Sequence, residues 1–136
     1  MTVSVQGEVR IDAETDIVTA RRAVRDLAQR AGFGPTDTTR IVTAASELAR
    51  NVSKYAGQGV MYWRVLSDGP LPGIELRFED HGPGIADVDE ALRQGFSTGK
   101  GLGMGLPGAK RLMDEMEIRS AVGQGTTVTV KKWLRS

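Results

Sequence analysis

The fold of this chain is decided by residues 74–85, which read IELRFEDHGPGI. Apolar and polar residues alternate in the first half, as they do on a half-buried β-strand, so Leu76 and Phe78 share one face. Asp80 is next on that face and points inward, where a carboxylate needs hydrogen-bond donors. The glycines that follow predict a sharp turn in which a flat group can approach the backbone. The stretch predicts either a ligand-binding aspartate or an aspartate that caps a structural turn.

Apolar periodicity, together with glycine and proline signals, predicts the elements on both sides of this strand. The predicted strands lie at 2–10, 60–66, 117–122 and 126–134. The first predicted helix runs from an Asp12 cap to Gly32, and the second runs from a Thr36 or Asp37 cap to Gly57 with an apolar stripe from Ile41 to Tyr55. A short helix is predicted near 88–92, and a third main helix starts with Pro107 and buries residues as far as Met116. Hairpins in series favour an α+β fold, a two-layer sandwich of a mixed, mostly antiparallel sheet with the helices on one face.

The composition is that of one globular domain spanning residues 1–136. The chain has no cysteine, which excludes disulfides and thiolate metal sites. Its formal charge of +1 does not indicate a nucleic-acid partner, because proteins that neutralise a phosphate backbone carry a clear basic surplus. It contains neither an apolar run of roughly 18 residues nor a signal peptide. We therefore expect a cytoplasmic protein that binds neither nucleic acid nor membrane.

Two polar residues flank the apolar stripe of the second helix. Glu47 and Asn51 lie one turn apart on this flank, and Lys54 lies close to them. An amide oxygen is a suitable ligand for Mg²⁺, and a carboxylate can orient or deprotonate a nucleophile. The alternative is a solvated helix flank on which Glu47 pairs with Arg50 or Lys54.

Glycines dominate the second half of the chain, where 14 of the 17 lie from Gly57 to Gly125. The run GKGLGMG at 99–105 leads into the third predicted helix. Free N–H groups at such a helix start form a cradle for an anion, and Lys100 adds a positive charge. The run is not a P-loop, because Gly101 stands where that motif needs serine or threonine. The GxGxxG match at 103–108 lacks the preceding strand of a dinucleotide-binding motif, and a flexible loop without a ligand stays the alternative.

In this order the polar and glycine-rich stretches resemble the Bergerat nucleotide fold of the gyrase, Hsp90, histidine-kinase and MutL superfamily. The matching stretches are ELARN at 47–51, DHGPGI at 80–85, GLGMGL at 101–106 and GQGTT at 123–127. Within it, the chain resembles the small stressosome serine/threonine protein kinases, which are related to anti-sigma-factor kinases. That likeness rests on SELARN at 46–51, GFST at 95–98, GLPG at 105–108, RLMDE at 111–115 and KWLR at 132–135. The departures from the family pattern are His81 and the cation Lys100.

The resemblance implies ATP and Mg²⁺ as cofactors and a role for each matching residue. Asn51 would coordinate Mg²⁺, and Glu47 would be the catalytic carboxylate that assists the attacking hydroxyl. Asp80 would accept from the adenine amino group, Gly84 would give the base room, and Thr126 would support a water bridging to adenine. The other residues implied to contact ATP are Lys54, Gly82, Ile85, Lys100, Gly101, Leu102, Gly103, Met104, Gly105 and Leu106.

The resemblance also implies protein partners. Its kinases phosphorylate serine or threonine on STAS-domain scaffold or antagonist proteins, and the released kinase binds and activates a PP2C-type phosphatase through its activator domain. Two alternatives stay open, a noncatalytic ATP-dependent partner-binding switch like an anti-sigma factor and a simple ATP hydrolase. Retention of both Glu47 and Asn51 favours a catalytic function over the noncatalytic switch. The sequence leaves open whether the chain is a monomer or a homodimer.

Overall fold

A computed structural model describes residues 3–67, 71–85, 87, 88, 92 and 105–135 of the chain. The strands are β1 Val3–Ile11, β2 Gly59–Leu66, β3 Gly73–Asp80, β4 Glu115–Ser120 and β5 Thr126–Trp133. The helices are α1 Thr15–Ala31, α2 Pro35–Asn51, which continues into a π-helical turn at Val52–Ala56, and α3 Gly105–Leu112. Most of the short helix predicted near 88–92 lies outside the described residues.

The strands form one sheet in the order β1-β2-β3-β5-β4, and each neighbouring pair is antiparallel. The two hairpins β2-β3 and β4-β5 join so that β5 lies between β3 and β4. Asp80 at the end of β3 consequently pairs with Thr126 at the start of β5 and with Gly59 at the start of β2. The predicted α+β architecture is confirmed.

The core lies between one face of the sheet and the helices. The alternation predicted for β3 places Leu76 and Phe78 in it, and Ile41 and Leu48 come from the stripe of α2. The largest fully buried side chains are Phe78, Ile11, Ile41, Leu48, Met61, Leu66, Ile74, Leu76, Val24 and Val130. Burial of such side chains stabilises a fold by roughly 1.5–3 kcal/mol each. Helix α2 is therefore fixed against β3, and its polar flank stays at the margin of the core.

Helix α1 starts later than its sequence predicts. It begins at Thr15, not directly after Asp12. The carboxylate of Asp16, inside the first turn, accepts hydrogen bonds from the N–H groups of Asp12 at 2.8 Å and Ala13 at 3.0 Å. Asp12 thus contributes a backbone donor to this turn, and its predicted role as the N-cap is wrong.

Helix α2 starts one residue before its predicted caps. Gly34 is the N-cap and Pro35 the first helical residue, so the predicted capping by Thr36 or Asp37 is wrong. Proline favours this position because its φ is already helical and the helix needs no N–H there.

Helix α3 is shorter than predicted and begins earlier. It starts at Gly105, so Pro107 is its third residue. It ends at Leu112, whose carbonyl accepts a hydrogen bond at 2.9 Å from the buried Nζ of Lys132 on β5. Met116 therefore lies on β4 and not on the helix.

The opposite face of the sheet carries charges that neutralise one another across the strands. Arg64 of β2 donates two hydrogen bonds, at 2.7 and 3.1 Å, to the carboxylate of Glu75 on β3. These bonds raise the pKa of the Arg64 guanidinium above its usual value, although its burial acts the other way. Lys131 of β5 lies 3.9 Å from the same carboxylate. This is the polar face that an antiparallel sheet commonly carries on the side away from its core, although Glu75 itself is buried among its neighbours.

None of the helices in the described part of the chain is long and apolar enough to cross a membrane.

Candidate active site

The candidate site lies where two strand ends and two helix ends meet. Asp80 and Thr126 face each other in the register of β3 and β5. Asn51 ends α2, and Gly105 begins α3 directly against it. A Cβ placed on Gly105 would lie 3.5 Å from Oδ1 and 3.4 Å from Nδ2 of Asn51. The two pairs adjoin, because a Cβ on Gly59, which pairs with Asp80, would lie 2.7 Å from Cγ1 of Val52, the residue after Asn51. Asp80, Thr126, Asn51 and Gly105 therefore lie at one end of the molecule.

Asp80 is held by backbone donors through one of its two carboxylate oxygens. Its Oδ1 accepts a hydrogen bond at 2.9 Å from the N–H of Gly82 and one at 3.2 Å from the N–H of Thr126. The first is the local turn that aspartate side chains favour, and the second ties β3 to β5. From the described part of the chain, no donor reaches Oδ2. The turn-capping alternative is confirmed, and it leaves Oδ2 able to accept from a ligand.

The loop after Asp80 is fixed against the end of β4. The φ of Gly84 is +79°, and a Cβ there would overlap the carbonyl oxygen of Ala121. The N–H of Ile85 donates to the hydroxyl of Ser120 at 2.7 Å. Gly84 is therefore required by its own backbone and by Ala121, whereas its role in making room for a base stays a prediction.

Ser120 is the site residue that the sequence analysis missed. Besides Ile85, its hydroxyl contacts the carbonyl oxygen of Gly125 at 3.0 Å and the hydroxyl of Thr126 at 2.8 Å. One side chain thus joins the loop after β3, the β4-β5 turn and the first residue of β5. The partner Ile85 is 35 residues away in sequence, so no local pattern marks this serine.

Glu47 and Asn51 lie on the same flank of α2, as predicted. Glu47 is 21% exposed and forms an ion pair with Arg50, whose Nη1 is 3.2 Å from Oε2. This is the local pairing that the sequence left open as an alternative. The carboxamide of Asn51 makes no hydrogen bond with any described residue, although it is half-buried. Among the described residues, no hydrogen bond uses the oxygen or the nitrogen of this carboxamide, which lies against the start of α3.

The π-helical turn after Asn51 changes the faces of the last helical residues. Tyr55 is 49% exposed, so its predicted place in the buried stripe is wrong. A π turn widens the helix, and residues beyond it no longer follow the spacing of 3.6 per turn. Lys54 lies 5.3 Å from the Tyr55 ring centre, and Ala56 touches the loop of Asp80, since a Cβ on Gly82 would lie 2.7 Å from Ala56 Cβ.

The predicted glycine-rich lid is described only at its end. Gly105 starts α3, and Leu106 packs partly buried against the core. The other predicted lid residues, Lys100, Gly101, Leu102, Gly103 and Met104, lie outside the described residues, and their role stays a prediction.

Known proteins resemble this chain over most or all of its length. The family described as the histidine kinase-like ATPase domain matches residues 10–132. The chain is 49% identical to the serine/threonine-protein kinase RsbT of Bacillus subtilis over 96% of its own length and 98% of that protein. It is 36% identical to the anti-sigma F factor of Anoxybacillus flavithermus, over 72% of its length and 70% of that protein. The anti-sigma F factor of Halalkalibacterium halodurans is 37% identical over the same shares.

Proposed function

This chain belongs to the family of histidine kinase-like ATPase domains as an RsbT-like serine/threonine-protein kinase, and from that premise we propose that it transfers the γ-phosphate of ATP to serine or threonine side chains of STAS-domain scaffold or antagonist proteins. The observation that carries the proposal is the convergence of Asp80, Thr126, Asn51 and Gly105 at one end of the sheet. These positions support a site in which the Asp80 carboxylate would recognise the base and the Asn51 carboxamide would bind the metal. Phosphoryl transfer depends mainly on positioning and charge stabilisation, which such a site can supply.

The phosphate end of the site is the contact between α2 and α3. Asn51 fits a magnesium site, because its carboxamide has no partner in the described chain and lies against the start of α3. Among the described residues, no three His, Asp or Glu side chains form a metal-binding group. Asn51 would thus be the protein's ligand to a Mg²⁺ whose other ligands are phosphate oxygens and water, a common arrangement for this ion. When bound, Mg²⁺ neutralises charge on the phosphates.

Glu47 would assist the attacking hydroxyl. It lies one helical turn before Asn51 on the same flank, and in this structure Arg50 holds its carboxylate. The residues that would complete the phosphate end are Lys54, Lys100, Gly101, Leu102, Gly103, Met104, Gly105 and Leu106. At the base end, Asp80 would accept from the adenine amino group, with Thr126 and the loop of Gly82, Gly84 and Ile85 around it.

The likeness to RsbT and the anti-sigma F factors supports a function in partner switching with other proteins. After its release from the STAS-domain proteins, the kinase would bind and activate a PP2C-type phosphatase in the cytoplasm, as a monomer or a homodimer and without nucleic acid or membrane. The likeness to anti-sigma F factors also favours a second candidate, a noncatalytic, ATP-dependent partner-binding switch. A simple ATP hydrolase is the third.

Labelled ATP separates these functions. The protein is incubated with [γ-³²P]ATP, Mg²⁺ and STAS-domain proteins of its own genome, and the labelled residue is mapped. We expect label on serine or threonine. Asn51→Ala should lower the labelling rate at least about tenfold, because mutation of groups at a metal site typically reduces activity by that factor. Gln29→Ala, which removes an exposed carboxamide from α1, is the matched control and should keep full activity.

Three other outcomes would contradict the role of Asn51 or the kinase proposal itself. Full labelling by a folded Asn51→Ala protein would remove Asn51 from the site. Phosphate released into solution with no labelled protein would indicate a hydrolase. ATP-dependent binding of a partner with no label in any fraction would indicate the switch.

A further inference from the structure

The hydroxyl of Ser120 is surrounded by three polar groups whose hydrogen-bonding character can be assigned. The N–H of Ile85, at 2.7 Å, can only donate. The carbonyl oxygen of Gly125, at 3.0 Å, can only accept. The hydroxyl of Thr126, at 2.8 Å, can do either.

Counting protons fixes the direction of the third bond. A serine hydroxyl has one proton and two lone pairs. Its proton is needed by the carbonyl of Gly125, and one lone pair receives the N–H of Ile85. Only the second lone pair is then available to Thr126, so the Thr126 hydroxyl must donate to Ser120. This is the one arrangement of protons that satisfies all three contacts.

We infer that Ser120 is a positioning residue that fixes the Thr126 hydroxyl as a hydrogen-bond acceptor towards the nucleotide base and thereby strengthens the choice of adenine over guanine. The inference rests on the proposed function. Thr126 pairs with Asp80 in the sheet, and its own N–H donates to Oδ1 of that carboxylate. With the hydroxyl proton directed to Ser120, both side chains offer acceptors.

At position 6 of the base, two neighbouring acceptors suit adenine, whose amino group has two protons to donate, and oppose guanine. Adenine presents an amino group, a donor, where guanine presents a carbonyl oxygen, an acceptor. A threonine hydroxyl that is free to rotate would turn its proton directly to that oxygen and so reduce the discrimination. Ser120 prevents this rotation because it holds the proton, and it acts on the base only through Thr126.

The test compares dissociation constants for ATP and GTP in the full chain. We expect Ser120→Ala to lower the ratio of GTP to ATP dissociation constants by about fivefold, the change that one net hydrogen bond corresponds to. In a Thr126→Val background the same substitution should leave the ratio unchanged, because no hydroxyl is left to rotate. Thr127→Val is the matched control, since it removes a hydroxyl from the opposite face of β5 and should not change the ratio.

The results separate this inference from a structural role and from the proposed function. Equal weakening of ATP and GTP in Ser120→Ala would show that Ser120 only supports the loop, and would overturn the inference. So would an equal change of the ratio with and without the Thr126 hydroxyl. Ser120→Cys, which keeps the shape but bonds weakly, replaces the alanine variant where that protein does not fold. Failure of the unmodified protein to bind ATP would instead contradict the proposed function.

Discussion

The carboxylate of Asp80 accepts backbone hydrogen bonds with one oxygen, while no described donor bonds to the other. Its Oδ1 accepts from two N–H groups, those of Gly82 and Thr126. These bonds fix the orientation of the carboxylate before any ligand arrives, so a base that bound to Oδ2 would not have to order the side chain. Preorganisation of this kind lowers the cost of binding.

Asp80 should make the protein select ATP, and thermal unfolding measures this. A ligand at about 100 times its dissociation constant stabilises a fold by roughly 2.7 kcal/mol. We expect Mg-ATP to raise the melting temperature, Mg-GTP to raise it much less, and Asp80→Ala to lose the ATP shift. In Asp80→Asn the amide NH₂ can donate to guanine, so the two shifts should move closer together. Equal shifts with both nucleotides in the unmodified protein would show that Asp80 does not recognise the base.

At the scale of elements, the site depends on how closely two turns approach. The loop after β3 and the turn between β4 and β5 touch through backbone atoms. A Cβ on Gly125 would overlap the carbonyl oxygen of Asp80, whereas a Cβ on Gly123 would meet nothing within 4 Å. Both glycines have positive φ, +81° at Gly125 and +79° at Gly123. They therefore share the same backbone conformation and differ in the space around them.

This difference predicts unequal losses of stability. Alanine at positive φ costs roughly 1 kcal/mol in either turn position. Gly123→Ala should lower the free energy of unfolding by about that much. Gly125→Ala should lower it by at least about 2 kcal/mol, because the backbone of Asp80 must also move. Urea unfolding of the two variants measures the free energies of unfolding side by side. Equal losses would mean that the two turns do not pack as closely as the structure has them.

At the scale of the whole molecule, the candidate site occupies one end of the sandwich, and most of the molecular surface lies away from it. The polar sheet face, for example, carries Arg64, Glu75 and Lys131 in a row across three strands. Glu47 belongs to the site end and forms only a local ion pair with Arg50 on its own helix. Such exposed pairs contribute roughly 0–1 kcal/mol to stability. Loss of Glu47 should therefore leave the fold and the distant surfaces intact.

Catalysis and partner binding should accordingly be separable. We expect Glu47→Ala to lose most phosphoryl transfer while it still binds ATP and a PP2C-type phosphatase of its own genome in a pull-down assay. Asp26→Ala, which breaks the similar ion pair with Arg30 on α1, is the control and should keep both properties. A Glu47→Ala protein that binds ATP but no longer binds the phosphatase would contradict the separation.

The features that repeat over short distances could be predicted from the amino-acid sequence. The alternation at 74–80 fixed β3 and the inward direction of Asp80, and the helical stripe fixed α2 with Glu47 and Asn51 on one flank. These follow from periods of two and about 3.6 residues, which neighbouring residues are enough to define. The predicted helix starts were wrong for local reasons. Asp16 accepts from the N–H groups of Asp12 and Ala13 from within the first turn of α1, and Pro35, ahead of Thr36 and Asp37, is already the first helical residue of α2.

Contacts between distant residues could not be predicted from the sequence and are seen only in the folded chain. The insertion of β5 between β3 and β4 brings Thr126 to Asp80, 46 residues away, and Ser120 to Ile85, 35 residues away. The π turn after Asn51 exposes Tyr55, against the helical period of the sequence. No local spacing encodes such pairings, because they are selected by what the whole sheet can bury and by which buried polar groups can find partners.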